Sequence, residues 1–267
     1  MAFYSESFTF NEIPCDEFDL MIYDVGSDKQ STGAFASTPT VVEQSIYRKW
    51  RPLFYGMKYT DKLTFELVFG VNQSRLDENK FLDREELNIV STWLTGHEEY
   101  KWLSIMQDGM EYVRFKCYVS DLEIVDYGWI PWALKAKITC DSPFGYMAPH
   151  TYTYTISEDT SISFYNESSY NGYYYPKIQF SPNGSTKLTI TNNTDDGRQF
   201  VLTDIPTSVK TITVDNENGI ITNDVDLNLY DGFNFNFLRL KRGYNKLTVT
   251  GDGTLKIICE FPVNTGG

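Results

Sequence analysis

One segment of this sequence, residues 83–95, has the pattern of a helix, and it lies among long stretches that alternate apolar and polar residues as strands do. Asp83 is a suitable N-cap, and Glu86 follows three residues later, which is the signature of a capping box. Gly96 stands just after the last predicted turn. The apolar positions of one helix face are Leu87, Val90, Trp93 and Leu94. The pattern predicts a mainly β protein in which one helix packs on a sheet.

The domain count follows from length and from a change of character along the chain. A length of 267 residues exceeds that of a usual single domain. After residue 148, short strands recur about every ten residues with turn signals between them, which is typical of an antiparallel β-sandwich. The segment CDSPFGYM, residues 140–147, has a Ser-Pro turn at the change. We therefore predict an N-terminal domain of residues 1–148, a β-barrel or sandwich with the one helix, and a C-terminal β-sandwich of residues 149–267.

Local patterns predict three further features. The segment SFTFNEIPCDEFDLMIYD has two short strand patterns around an Asn-Glu-Ile-Pro turn, with Phe8 and Phe10 on one face and Leu20 and Ile22 on another, which predicts a hairpin at the start of the chain. Residues 24–45 are polar and without a clear period until Val41, and irregular segments of this length are usually functional or disordered. Asn218-Gly219, between alternating residues, predicts another hairpin turn.

The net charge of −13 disfavours binding to phosphate backbones and anionic lipids. The densest basic run is Arg48, Lys49 and Arg51, which flank Trp50. This run fits a solvated strand end, and it also fits an oligomer interface in which it meets carboxylates of a neighbouring subunit. We predict no specific nucleic-acid binding, although DNA could slide past so acidic a surface.

The start of the chain lacks the basic and apolar regions of a signal peptide, so we expect synthesis in the cytoplasm and free thiols. The four cysteines also show no CxxC spacing, which argues against a zinc site. No apolar run approaches the roughly 20 residues of a membrane helix, so no membrane insertion is expected.

Catalytic and metal sites have few candidates. His97 and His150 are the only histidines, which leaves little for a Ser-His-Asp triad or a two-histidine metal site. The acidic DNENGIITNDVD segment lacks the residue order of a calcium loop. The sequence therefore predicts no catalytic, cofactor-binding or metal-binding residues, and the protein is not expected to be an enzyme.

Tyr170, Tyr173, Tyr174 and Tyr175 lie beside Gly172 and form the best candidate for a partner surface. Exposed aromatic residues suit a protein contact or stacking on a sugar. The simpler interpretation is an aromatic-rich loop that packs on its own sheet.

An ordered set of short patterns resembles the distal tail protein (Dit) family of long-tailed, siphovirus-type phages. The set consists of the SFTFNE start, the WLTG helix end, Asp108-Gly109, the CDSPFGY junction and the late TVDNENGII and FLRLKRGYN segments. No single motif is specific, but together they span nearly the whole chain. The resemblance implies a ring-forming, tail-tube-like first domain and a galectin-like second domain.

The resemblance also implies a structural role. It implies a homo-oligomeric ring, usually of about six copies, that joins the tail tube to the tail-tip hub protein and carries receptor-binding or baseplate proteins. The expected location is the phage tail tip in the virion, after assembly in the cytoplasm of the host bacterium. From its length and lack of period, the segment from Gly26 to Val42, with a strand predicted through Ile46, Tyr47, Trp50 and Phe54, is expected to close such a ring as an arm over the next subunit. The alternatives are a host-glycan-binding adhesin module and a tail-associated hydrolase.

Overall fold

The computed structural model describes residues 6–23, 39–59, 61–78 and 80–264. The protein is mainly β, as predicted. It divides into two compact units between Tyr146 and Met147, and the second unit is Met147–Val263. Residues 24–38, the larger part of the polar segment discussed above, lie outside the described residues.

The first unit is built on one large antiparallel sheet and one separate hairpin. The strands of this unit, within the described residues, are β1 (Phe8–Phe10), β2 (Ile13–Pro14), β3 (Leu20–Ile22), β4 (Thr40–Gln44), β5 (Leu53–Lys58), β6 (Thr64–Val71), β7 (Lys101–Ile105), β8 (Val113–Tyr127) and β9 (Ile130–Cys140), with β10 (Gly145–Met147) at the junction. Helices α1 (Gln73–Asp77) and α2 (Arg84–Thr95) lie between β6 and β7. The main sheet has the order β2-β1-β7-β8-β9-β6-β3, while β4 and β5 form a separate two-stranded sheet.

Helix α2 confirms the main helix prediction, including its ends. Asp83 accepts a hydrogen bond from the Glu86 backbone, and the Glu86 side chain accepts one from the Asp83 backbone, so the capping box is complete. Trp93 is buried, and its indole Nε1 donates to the carbonyl oxygen of Phe10 at 3.1 Å. Its ring packs against the aromatic rings of Phe8, Phe10 and Phe18. The helix therefore covers the sheet face, as expected.

The predicted hairpin at the start of the chain is wrong in its pairing. β1 pairs with β2 and β7, whereas β3 pairs with β6, because a 3-10 turn at Cys15–Phe18 carries the chain away before β3 begins. The short helix α1 was not predicted either, although Asn72 caps it by accepting a hydrogen bond from the backbone of Arg75. The pairing of β1 with β7 and of β3 with β6 joins segments that are distant in the sequence, whereas the cap of α1 is a local signal that the sequence analysis missed.

The second unit contains β11 (His150–Asn166), β12 (Lys177–Pro182), β13 (Leu188–Asn192), β14 (Arg198–Leu202), β15 (Ile212–Asp215), β16 (Ile220–Asn223), β17 (Gly243–Cys259) and β18 (Pro262–Val263), with a 3-10 turn at Tyr230–Gly232. The path order is β14-β13-β17-β12-β15-β16, and β11 pairs with β17 along its whole length. β15 and β16 join through the predicted Asn218-Gly219 turn.

Strand β17 makes this sheet a sandwich. Its first half pairs with β13 and its second half pairs with β12, so it passes from one layer to the other. Gly251 and Gly253, with φ of +156° and +149°, lie at the change of partner. A Cβ atom at Gly253 would lie 2.2 Å from the carbonyl oxygen of Ser181, so only glycine fits there. Both layers share one apolar core, which includes Phe180, Phe200 and Leu255.

The four cysteines are free thiols and all are buried. Burial raises the pKa of Cys140 to about 12, so its thiolate is scarce at neutral pH. None of the described helices has the length and apolar character required to cross a membrane.

Candidate interaction surfaces

The candidate sites among the described residues are exposed surfaces. Nowhere in the described ranges do three or more His, Cys, Asp or Glu side chains come together to hold a metal ion. His97 contacts the carbonyl oxygen of Trp93 through Nε2 at 2.8 Å and packs on Phe10, which is a structural role. His150 packs edge-on against Tyr152 at 4.4 Å between ring centroids.

The β4–β5 hairpin, residues 40–58, carries the predicted basic run at its tip, and we call it the basic hairpin. Its strands pair only with each other among the described strands. Side chains on both faces are exposed, and the large apolar ones are Val41, Tyr47, Trp50, Leu53, Phe54, Tyr55 and Met57. An isolated two-stranded hairpin is at best marginally stable in water, so this surface calls for a partner.

The tip of the basic hairpin places its cations on aromatic rings. Arg51 lies over the Trp50 ring with Cζ 4.3 Å from the centroid, and Arg48 lies over Tyr47 at 5.2 Å. Both distances are within the range of cation–π attraction. Trp50 is 84% exposed and Tyr47 is 86% exposed. The four predicted interface residues Arg48, Lys49, Trp50 and Arg51 are therefore all on the surface.

A second exposed hairpin was not singled out from the sequence. β8 and β9 extend to a two-residue turn, Gly128-Trp129, in which both residues have positive φ, as in a type I′ turn. Trp129 is 93% exposed, and Ile124 and Ile130 beside it are also exposed. We call residues 118–134 the Trp129 hairpin. The sequence signal for this turn is Tyr-Gly-Trp at residues 127–129, between two stretches that alternate apolar and polar residues.

The four predicted tyrosines separate into two groups. Tyr170 and Tyr175 are exposed. Tyr174 instead packs on Phe261, and its hydroxyl accepts a hydrogen bond from the backbone of Glu260 at 2.8 Å. Burial raises the pKa of Tyr174. The structure therefore places Tyr174 against the core, whereas Tyr170 and Tyr175 are 38% and 37% exposed.

Tyr173 belongs to a charged cluster centred on Asp195, whose side chain is only 2% exposed. Asp195 accepts hydrogen bonds from Arg239 Nε at 2.7 Å and from the Tyr173 hydroxyl at 3.0 Å. Arg239 also lies over the Tyr173 ring at 3.8 Å. Burial alone would raise the pKa of Asp195, but these two hydrogen bonds and the charges of Arg239 and Lys241 outweigh it and lower the pKa. The cluster ties the turn between β13 and β14 to Tyr173 and Arg239.

Two further exposed tyrosines were not predicted, and only one of them, Tyr165, lies near the predicted cluster in the sequence. Tyr165 and Tyr244 are directly opposite each other on β11 and β17, with ring centroids 4.7 Å apart. They are 49% and 71% exposed, respectively. Their pairing joins residues far apart in the chain, so no local pattern reveals it.

Comparisons with known proteins agree with this architecture. A family model described as a phage tail protein N-terminal domain matches residues 3–142, and one described as a phage tail C-terminal domain matches residues 144–259. The sequence matches none of the curated proteins.

Solved structures share the fold. The Dit protein of phage SPP1, described as a paradigm of the hub adsorption apparatus in phages that infect Gram-positive bacteria, is similar with a TM-score of 0.68 and 11% sequence identity. The alignment covers 96% of this chain and 98% of that chain. A chain of the phage P2 baseplate in its activated conformation with calcium is similar with a TM-score of 0.50, 11% identity and 90% coverage of each chain. The two family matches span both units, and the chain therefore belongs to this family of phage tail proteins and is a component of the virion.

Proposed function

We propose that the protein is a structural hub of the distal tail, in which about six copies close a ring that continues the tail tube. In this proposal the first unit forms the ring between the tube and the tail-tip hub protein. The second unit presents its outer surface to receptor-binding or baseplate proteins. DNA passes through the lumen without specific binding, and assembly takes place in the host cytoplasm.

The basic hairpin is the observation that supports the proposal most directly. Its apolar side chains are exposed on both faces, so in a monomer they contribute no hydrophobic stabilisation. Burial between subunits stabilises both the hairpin and the assembly. The likeness to the SPP1 hub protein over nearly the whole of both chains supports the same role.

The role is structural rather than enzymatic. The two histidines have packing roles, and the exposed groups are aromatic, apolar and basic side chains suited to contact. On the second unit, Tyr170 and Tyr175 together with Tyr165 and Tyr244 supply exposed aromatic area of the kind that anchors protein partners.

The ring is tested with the purified full chain, alone and with the tail-tube protein of the same virion. Light scattering should give a mass near six times the 30.8 kDa chain, and negative-stain images should show rings. A monomer under both conditions contradicts the proposal.

The second candidate is a glycan-binding adhesin, favoured by the exposed Tyr165 and Tyr244 pair, since aromatic faces stack on sugars. Binding of the chain to purified host cell-wall polysaccharide would support it, with the Tyr165→Ala/Tyr244→Ala variant as the control. Release of sugar or peptide from the walls would instead indicate a hydrolase.

A further inference from the structure

The two exposed hairpins of the first unit have opposite charge. The basic hairpin contains Arg48, Lys49, Arg51 and Lys58 with Glu43 as its one acid. The Trp129 hairpin contains Asp121, Glu123 and Asp126, all exposed, and Lys137 and Lys135 follow on β9 opposite the first two. Within a chain of net charge −13, one concentrated basic surface and one surface with excess acidic charge are the arrangement expected of two complementary contacts.

Both hairpins also expose apolar side chains next to these charges. Trp129 holds φ of +72°, a left-handed conformation that a bulky side chain rarely adopts, and it is 93% exposed. Strained residues of this kind persist where they serve a function. An aromatic and aliphatic tip with carboxylates along one of its strands complements an aromatic and aliphatic hairpin with cations at its tip.

Contacts within the subunit satisfy only part of the acidic charge. Glu123 lies opposite Lys135, and Asp121 lies opposite Lys137, at the base of the Trp129 hairpin. Lys135 is engaged by Glu66, with Nζ and Oε1 2.8 Å apart. Asp126, nearest the tip, lies opposite Pro131 and so has no cation across the strand. The tip keeps unbalanced negative charge.

From these observations we infer that the basic hairpin of one copy docks on the Trp129 hairpin of the next copy. The two surfaces differ and lie on the same chain, so a head-to-tail contact between them repeats from copy to copy, and repetition of such a contact generates a ring or a filament. A closed dimer in which the two hairpins meet twice would contradict the inference. The inference rests on the proposed ring and names the surfaces that close it. The occupant of both hairpins is a second copy of this chain.

Charge reversal on each side tests the pairing. The R48E/K49E/R51E variant has two acidic hairpins, and the D121K/E123K/D126K variant has two basic ones. Each alone should assemble about a hundredfold or more weakly than the unmodified chain, because like charges face each other at every contact. An equimolar mixture should restore rings in which the two variants alternate, which mass photometry and differently tagged chains detect.

The controls separate this inference from the proposed function. The E12K/D16K/E17K variant reverses three other exposed carboxylates of the first unit and should form rings normally. If each hairpin variant still formed rings alone, the hairpin pairing would be wrong. It would also be wrong if each variant lost its rings and the mixture did not restore them. Either result would leave the ring proposal intact. An unmodified chain that stays monomeric alone and with the tail-tube protein would overturn both.

Discussion

Asp195 shows how one carboxylate can hold together an end of the second unit. Its side chain is buried between Arg239, Lys241 and Tyr173, so Asp195→Asn removes the charge that faces the two cations and replaces one of its two acceptor oxygens by an NH2 donor. We expect Asp195→Asn to lower the free energy of unfolding of this unit by about 3 kcal/mol. Urea unfolding followed by tyrosine fluorescence measures this. Asp196→Asn, at an exposed neighbour, should change it little.

Acid should remove the same stabilisation. Because the pKa of Asp195 in the folded protein lies below its ordinary value of 3.8, its contribution is fully present above that pH and is lost as the pH falls through the folded pKa. The difference in stability between the unmodified chain and Asp195→Asn should therefore shrink below pH 3.8. A difference that stays constant on acidification would show that the charge is not the cause.

Trp129 is predicted to strengthen ring assembly while lowering the free energy of unfolding of the first unit in the monomer. Its left-handed backbone costs a non-glycine residue about 1 kcal/mol, and at 93% exposure its side chain packs little in its own subunit. Trp129→Gly should therefore raise the free energy of unfolding of the first unit by about that amount while weakening ring assembly. Thermal unfolding and light scattering measure the two effects. A less stable monomer would show that the indole packs within its own subunit.

At the scale of elements, the bend of β17 depends on glycine. An added Cβ at Gly253 would meet the backbone of Ser181 and Pro182, so Gly253→Ala should destabilise the second unit by more than about 1 kcal/mol. Gly184→Ala is the matched control, since Gly184 also has positive φ, but its Cβ would meet no atom within 4 Å. Equal losses of stability in the two variants would show that backbone conformation, rather than the close approach of strands, decides the cost.

Elements with local signals were predictable, and elements set by distant contacts were not. Helix α2 carries its capping box and its apolar face within one short segment, so its ends follow from the sequence. The expectation of short strands about every ten residues missed the length of β11 and β17, because Glu158 and Gly251 interrupt the alternation at paired positions of these two strands. The pairing of Tyr165 with Tyr244 depends on that same long register.

The candidate surfaces divide in the same way. The basic run at the tip of the β4–β5 hairpin is visible as composition, and the structure exposes it. The tyrosine cluster is visible too, but the sequence could not separate Tyr170, which is exposed, from Tyr174, whose hydroxyl and backbone are bound by residues about seventy to ninety positions later. Whether a side chain is buried depends on which residues from distant parts of the sequence pack against it in the fold.

For the whole molecule, the last prediction concerns the independence of the two units. Trp93 lies in the aromatic core of the first unit, so Trp93→Ala removes a large buried side chain and should cost that unit about 3–5 kcal/mol. The second unit has its own apolar core and should keep its transition, so calorimetry should show one transition shifted and the other unchanged. Trp50→Ala, at a side chain that is 84% exposed, should shift neither transition of the monomer. If Trp93→Ala moved both transitions together, the units would unfold as one cooperative body, and the predicted division of the chain near residue 148 would not hold.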